Sequence, residues 1–228
     1  EHQKTSGPHD FEAKNVKLNG LTSSSFKITF SNSNDRHELK VKLPLPGVYH
    51  VYNALAAIAC VFNLNLPTHR LTETLKHFQP AFGRVEKLPF GYIFLIKNPA
   101  GATQVFETIA PQIKKNDRLL LALNDNLADG TDISWIWDGD FERLTINDER
   151  LTIICSGTRA YDLAVRLKYA GFNPKNLIVQ EELQNALKQA KKDLEGTLFI
   201  LPTYTAMLKL QSILAKSGIK KNYWEEDN

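Results

Sequence analysis

At 228 residues the chain can form one large domain or two small ones, and its 43% hydrophobic and 23% charged content is ordinary for a globular protein. A net charge of +3 is spread along the chain without a dense basic run, which argues against nucleic-acid binding. No apolar stretch reaches the roughly 20 residues of a membrane span, and no signal peptide is visible. Cys60 and Cys155 stand far apart in apolar runs. They are expected to be reduced core residues of a cytosolic protein, which excludes a disulfide framework or zinc site. The chain begins Glu1-His2-Gln3-Lys4 without an initiator Met, so it is expected to be a piece of a longer protein.

Residues 1–25 are polar, with alternation only around Val16 and Leu18, and predict an irregular lead-in with room for one edge strand. Phe26-Lys27-Ile28-Thr29-Phe30 and Glu38-Leu39-Lys40-Val41-Lys42-Leu43 alternate apolar with polar and predict a hairpin about the polar stretch 31–37. Pro44-Leu45-Pro46-Gly47 breaks that pattern. A helix follows over 49–64, where Ala54, Leu55, Ile58, Val61 and Phe62 recur; it is apolar nearly all round and is expected to be buried. Thr68 reads as the N-cap of a second helix striped by Leu71, Leu75 and Phe78.

From about residue 80 strands and helices alternate. Strands are predicted at 85–88, 92–96, 119–123, 151–155, 177–179 and 197–201. Helices are predicted at 102–114, 160–170, 182–193 and 205–216, the second and last stopping at Gly171 and Gly218. Such repetition implies a doubly wound, mostly parallel sheet covered on both faces. The expected division is a domain over 1–79, a linker over 80–84 and a second domain over 85–228, with a fraying tail at 220–228.

The strand at 119–123 runs into Asn124-Asp125-Asn126-Leu127-Ala128-Asp129-Gly130-Thr131-Asp132-Ile133-Ser134-Trp135-Ile136-Trp137-Asp138-Gly139-Asp140-Phe141-Glu142. Six carboxylates and two of the chain's three Trp residues fall in this stretch, with no Lys or Arg between them. Ligands and partners of open α/β sheets gather where parallel strands end, so this loop is the first candidate for function. The alternative is a solvated acidic loop in which Asp125 and Asp129 serve Asx-turns, Asp138-Gly139 closes a tight turn and the Trp rings fill a core. Trp135 and Trp137 alternate with Ser134, Ile136 and Asp138, which points both rings to one side, either onto a partner or into a core. Ser156-Gly157-Thr158-Arg159 joins a strand to a helix N-terminus, so Arg159 either holds an anion or is an ordinary surface Arg.

Gly47-Val48-Tyr49-His50-Val51-Tyr52-Asn53-Ala54-Leu55-Ala56-Ala57, followed by Phe82-Gly83-Arg84, resembles the end of the Mur ligase central (ATPase) domain. The resemblance implies that Asn53 meets the adenine ring and Arg84 the nucleotide phosphates, for which a two-sided amide and a planar guanidinium are suited. Lys97-Asn98-Pro99-Ala100-Gly101, the acidic Trp-bearing loop, Ser156-Gly157-Thr158-Arg159-Ala160-Tyr161 and Leu201-Pro202-Thr203-Tyr204-Thr205-Ala206 narrow it to the MurT family. Members are the ligase-like subunits of lipid II isoglutaminyl synthase and pair with the glutaminase GatD. The family's P-loop Gly-Thr-Asn-Gly-Lys-Thr and its four-Cys zinc ribbon do not occur in this sequence, and His50 stands where relatives often carry Asn.

What the resemblance implies is ATP- and Mg2+-dependent amidation of the D-glutamate α-carboxylate of the lipid II stem peptide during peptidoglycan synthesis. The carboxylate is activated as an acyl phosphate and ammonia displaces phosphate. The reaction is cytoplasmic, at the inner face of the membrane. ATP and Mg2+ are held mainly outside this chain, so the chain alone is expected to be inactive. Ammonia comes from glutamine at a Cys-His site in GatD, and by resemblance Asp132 completes that site in trans, with Asp129 and Asp138 as reserves. Trp135, Trp137, Asn98 and Arg159 are the candidate partner or substrate contacts, and no metal ligand is assigned. Two other readings remain: a docking module that catalyses nothing, and a fragment of a folylpolyglutamate-type amino-acid ligase.

Overall fold

The computed structural model describes residues 11–31, 36–78 and 84–220. It divides into two compact units, Glu1–Gln79 and Pro80–Asn228. Residues 1–10, residues 32–35 within the predicted hairpin, most of the expected linker and residues 221–228 lie outside the described residues.

The first unit is a three-stranded antiparallel sheet of β1 (Phe11–Asn19), β2 (Ser23–Ser31) and β3 (Arg36–Leu43), in that order, with α1 (Val48–Asn63) and α2 (Leu71–Lys76). The edge strand for which the lead-in left room is there and runs to nine residues, Phe11–Asn19. Its alternation is hidden by a bulge between Lys14 and Lys17, where Asn15 takes φ 53 and the residues beyond it change face. Phe26, Ile28, Phe30, Val41 and Leu43 form the apolar side of the sheet and pack with Val51, Ala54 and Ile58 of α1.

That stripe, with His50 beside it, is the buried side of α1. Tyr52, Cys60 and Leu64 are exposed, which corrects both the helix buried all round and Cys60 as a core residue. A three-stranded sheet offers one apolar face, and a helix lying on it buries one side. Thr68 does not cap α2 with its side chain. The helix starts after Arg70, and the Thr68 carbonyl accepts the Leu71 N–H instead. Phe78 lies past the end of α2 and is exposed.

The second unit runs β4 (Arg84–Leu88), β5 (Gly91–Phe94), α3 (Pro99–Ile109), β6 (Arg118–Ala122), β7 (Thr152–Ser156), α4 (Ala160–Tyr169), β8 (Leu177–Val179), α5 (Leu183–Lys191), β9 (Leu198–Pro202) and α6 (Tyr204–Lys216). The sheet order is β4-β5-β9-β6-β7-β8; β4 is antiparallel and every other pairing is parallel. The near-continuous apolar runs of β6, β7 and β9 are what a doubly covered parallel sheet requires. Helices α5 and α6 lay Ala186, Leu187, Met207 and Leu210 over Leu120, Ile154 and Ile200. The predicted helix over 102–114 begins earlier and ends earlier. Asn98 caps it, Pro99 occupies its first turn, and Ala110–Gln112 tightens into a 3-10 turn at Pro111.

Two close approaches depend on glycine. A Cβ on Gly91 would stand 1.8 Å from the Leu198 carbonyl oxygen, so only glycine lets β5 pair with β9 there. Gly157 takes φ 93, and a Cβ there would meet the Leu123 carbonyl oxygen at 2.4 Å. Cys155, in the middle of the sheet, is buried, and burial pushes its thiol up to about 12. A maleimide should therefore label Cys60 within minutes in the native chain and Cys155 only after unfolding. Mass spectrometry of labelled peptides would check this, and native labelling of Cys155 would contradict its placement.

Candidate functional site

The carboxyl ends of β6, β7 and β9 meet at Asn124. Its N–H donates to Thr203 Oγ1 (3.0 Å), its Nδ2 to Thr205 Oγ1 (2.8 Å), and its Oδ1 accepts from the Thr158 N–H (3.0 Å). One side chain thus ties three strand ends together, which needs an amide able both to give and to accept. A cavity of about 600 Å³ opens beside it, bordered by Thr158, Glu182, Thr205 and Lys209. Glu182 and Lys209 are paired at 2.8 Å.

The acids of the loop separate into different roles. Asp125 accepts from Thr158 Oγ1 (2.8 Å). Asp129 is only 6% exposed, and its two oxygens accept from the Thr205 N–H (2.8 Å) and Thr205 Oγ1 (2.5 Å). It clamps the loop to the start of α6 rather than serving the Asx-turn read for it. Asp132 makes the Asx-turn instead: it is exposed, and its Oδ1 accepts the Ser134 N–H at 2.8 Å. That backbone bond first, and the Ser134 hydroxyl second, hold its carboxyl below the usual Asp range. Asp138 is exposed beyond a turn in which its N–H donates to the Trp135 carbonyl (3.1 Å).

Ser134–Trp137 is a 3-10 turn, not an extended segment. With three residues per turn, positions two apart diverge by about 120°, so the two Trp rings do not share a side. Ile136 is buried, Trp135 is half-buried, and Trp137 is 52% exposed. The Trp137 ring meets Tyr169 edge-on at 5.8 Å. Tyr161, Val165 and Tyr169, at successive i,i+4 positions of α4, are also exposed. An apolar stripe therefore runs along α4 to the loop.

Sequence reasoning missed Arg166, although the signal was there: Leu163 and Ala170, three before and four after it, are apolar and buried and put it on the inward stripe of α4. It is 4% exposed and donates to the carbonyls of Ile136 and Gly139 and to the Glu142 carboxylate, each at 2.9 Å. Its guanidinium also lies 5.6 Å from the Trp137 ring centre and 5.0 Å from that of Phe141. This cation is the pin on which the second half of the loop is wound. Its hydrogen bond is the main reason the Glu142 carboxyl is held below the usual Glu range.

The remaining candidates are more dispersed. Arg159 precedes α4, with Nε 2.9 Å from Asp162 and Nη1 3.8 Å from Asp125, so carboxylates of this chain already surround it. Asn98 spends its Oδ1 on the Gly101 N–H at 2.8 Å as the α3 cap. Asn53 is exposed on α1 in the first unit. Arg84 opens β4 in the second, its backbone opposite Phe94. Among the described residues no helix is long and apolar enough to cross a membrane.

Residues 95–207 match the family model described as MurT ligase C-terminal. The MurT subunit of lipid II isoglutaminyl synthase (glutamine-hydrolysing) from Streptococcus pneumoniae is 37% identical over 183 residues, which are 78% of this chain and 40% of that protein. The chain belongs to the MurT family. The MurT subunit from Staphylococcus aureus (strain COL) is 31% identical over 201 residues, 85% of this chain and 44% of that one. The chain therefore spans about two fifths of the length of these MurT relatives. Among solved structures, MurC from Thermotoga maritima superposes with a TM-score of 0.62 at 15% identity over 93% of this chain and 47% of its own. MurF from Acinetobacter baumannii does so with 0.64 at 19% over 91% and 45%. At these identities the likeness concerns the fold, which is the Mur ligase-like α/β fold expected of a MurT protein.

Proposed function

We propose that this chain is part of the MurT subunit of a glutamine-hydrolysing lipid II isoglutaminyl synthase, in which it docks the GatD glutaminase and supplies Asp132 to its Cys-His site. The observation that carries the reading is the contrast within the loop. Asp129 is consumed by Thr205, Asp125 by Thr158 and Glu142 by Arg166, while Asp132 stands exposed, ionised and fixed in direction by Ser134. A nucleophile-imidazole pair needs such a group: it selects the tautomer that leaves the base nitrogen facing the thiol and stabilises the imidazolium formed when the proton moves. A flexible carboxylate would lose orientation; an Asx-turn holds this one before the partner arrives.

The rest of the reaction belongs to the whole complex. The D-glutamate α-carboxylate of the lipid II stem peptide is activated at the expense of ATP and Mg2+, and ammonia from glutamine displaces the phosphate, at the cytoplasmic face of the membrane. No Gly-Thr-Asn-Gly-Lys-Thr loop stands in this sequence, so its own share in nucleotide binding is confined to Asn53 and Arg84. By itself the chain neither hydrolyses ATP nor amidates lipid II. The apolar stripe of Tyr161, Val165 and Tyr169, ending at Trp137, supports docking beside Asp132. Titration calorimetry of the chain against purified glutaminase should give a one-to-one complex. Trp137→Ala and Tyr169→Ala should each weaken it by about tenfold or more, as expected of buried aromatic anchors. Absence of binding to the wild-type chain would overturn the docking role.

A further inference from the structure

The solvent face of the first unit's sheet carries lysines in register across all three strands. Lys14 of β1 is opposite Lys27 of β2, and Lys27 is opposite Lys40 of β3; in the next row Lys17 is opposite Ser25, and Ser25 is opposite Lys42. Neighbouring strands lie about 5 Å apart, and like charges placed directly opposite are destabilising. Part of the repulsion is relieved internally. Lys14 meets Glu12 and Lys27 meets Glu38, both at 2.9 Å. Lys17, Lys40 and Lys42, by contrast, are exposed and, among the described residues, have no acidic partner. They border a shallow groove of about 770 Å³, which the exposed Val16 at the β1 bulge also lines.

We propose that this face docks on the surface of an anionic lipid bilayer. The reading goes beyond the glutaminase site and stands without it. A fixed plane of ammonium groups fits a layer of phosphate headgroups because it demands no geometry from the individual anion: each Lys is a hydrated point charge on a flexible stem. A nucleic-acid surface would need more. Among the described side chains of this face there is no aromatic ring to stack a base. Val16 adds a small apolar contact at the level of the headgroups. Contact with anions would also remove the like-charge strain that the cross-strand rows impose.

The test is co-sedimentation of the full 228-residue chain with phosphatidylcholine vesicles, with and without phosphatidylglycerol. Binding should require phosphatidylglycerol and fall steeply with added salt. At about fivefold per lysine, the triple variant Lys17→Gln, Lys40→Gln, Lys42→Gln should bind about a hundredfold more weakly. Lys115→Gln, Lys168→Gln, Lys188→Gln, which removes equal charge from exposed positions of the other unit, should change binding by less than about threefold. Circular dichroism of the first triple variant should match wild type and its thermal unfolding should come no lower, since only exposed, mutually repelling charges are removed. Equal affinity for the two vesicle types, or equal losses in the two triple variants, would overturn the proposal. So would tighter binding to single-stranded RNA than to phosphatidylglycerol vesicles, lost in the first triple variant, which would assign the face to nucleic acid.

Discussion

Asp132→Asn in the assembled synthase is expected to leave subunit association within about twofold of wild type while glutamine hydrolysis falls by about 10⁴, the loss seen when the analogous carboxylate of a serine protease becomes an amide. Asn is nearly isosteric and can still accept the Ser134 N–H that shapes the turn, so the loop should keep its conformation. A neutral amide cannot stabilise an imidazolium and can favour the wrong tautomer. Free ammonia should restore much of the amidation of lipid II, because only the ammonia source is damaged. Asp138→Asn is the comparison and should cost less than about threefold, as that residue closes a turn through its backbone. Asp129→Asn should behave differently again, loosening the loop by weakening its bonds to Thr205. Full glutaminase activity in Asp132→Asn would remove the carboxylate in trans, and loss of activity in Asp138→Asn alone would move the role to Asp138.

Arg166→Met should be the most damaging single change to the second unit outside its apolar core. Methionine fills similar volume, but it leaves the carbonyls of Ile136 and Gly139 without their donor and Glu142 without its partner. Breaking a buried charged hub of this kind costs about 3–5 kcal/mol, or about 10 °C in Tm for a domain of this size. The Trp137 and Phe141 rings also lose the cation beside them, so the Trp emission should shift to the red and glutaminase binding should weaken. Glu142→Gln should be much milder, since half-exposed Glu142 contributes a screened interaction. The pH dependence has a definite sign. Glu142's folded value lies below the ordinary 4.5, so its contribution is present above that value and is lost as pH falls through the lower folded one. An acid-induced change in Trp emission below that pH should therefore be smaller in Glu142→Gln. Unchanged stability and unchanged Trp emission in Arg166→Met would show that the loop holds its shape without this pin.

Much of the second unit was legible because its signals are local. The apolar runs of β6, β7 and β9, the glycines that stop α4 and α6, and the cap at Asn98 each act within a few residues, where periodicity and capping rules apply. The acidic Trp-bearing loop was likewise visible as a place, since six carboxylates after an apolar strand are a compositional fact. Where bulges and partial coverage intervene, the local signal misleads. The β1 bulge hid the extent of a nine-residue strand, and the small sheet left much of an apolar α1 exposed. By itself the sequence therefore determined the class of fold, the MurT resemblance and the stretch that carries the candidate chemistry. Which acid faces solvent was decided by tertiary structure alone. Asp129 is spent on Thr205, 76 residues away, and the loop is wound on Arg166, 30 residues beyond Ile136. The insertion of β9 between β5 and β6 brings Thr203 to Asn124 across 79 residues. Such partners are chosen by the packing of a completed sheet, and no short-range pattern of charge or hydropathy encodes them.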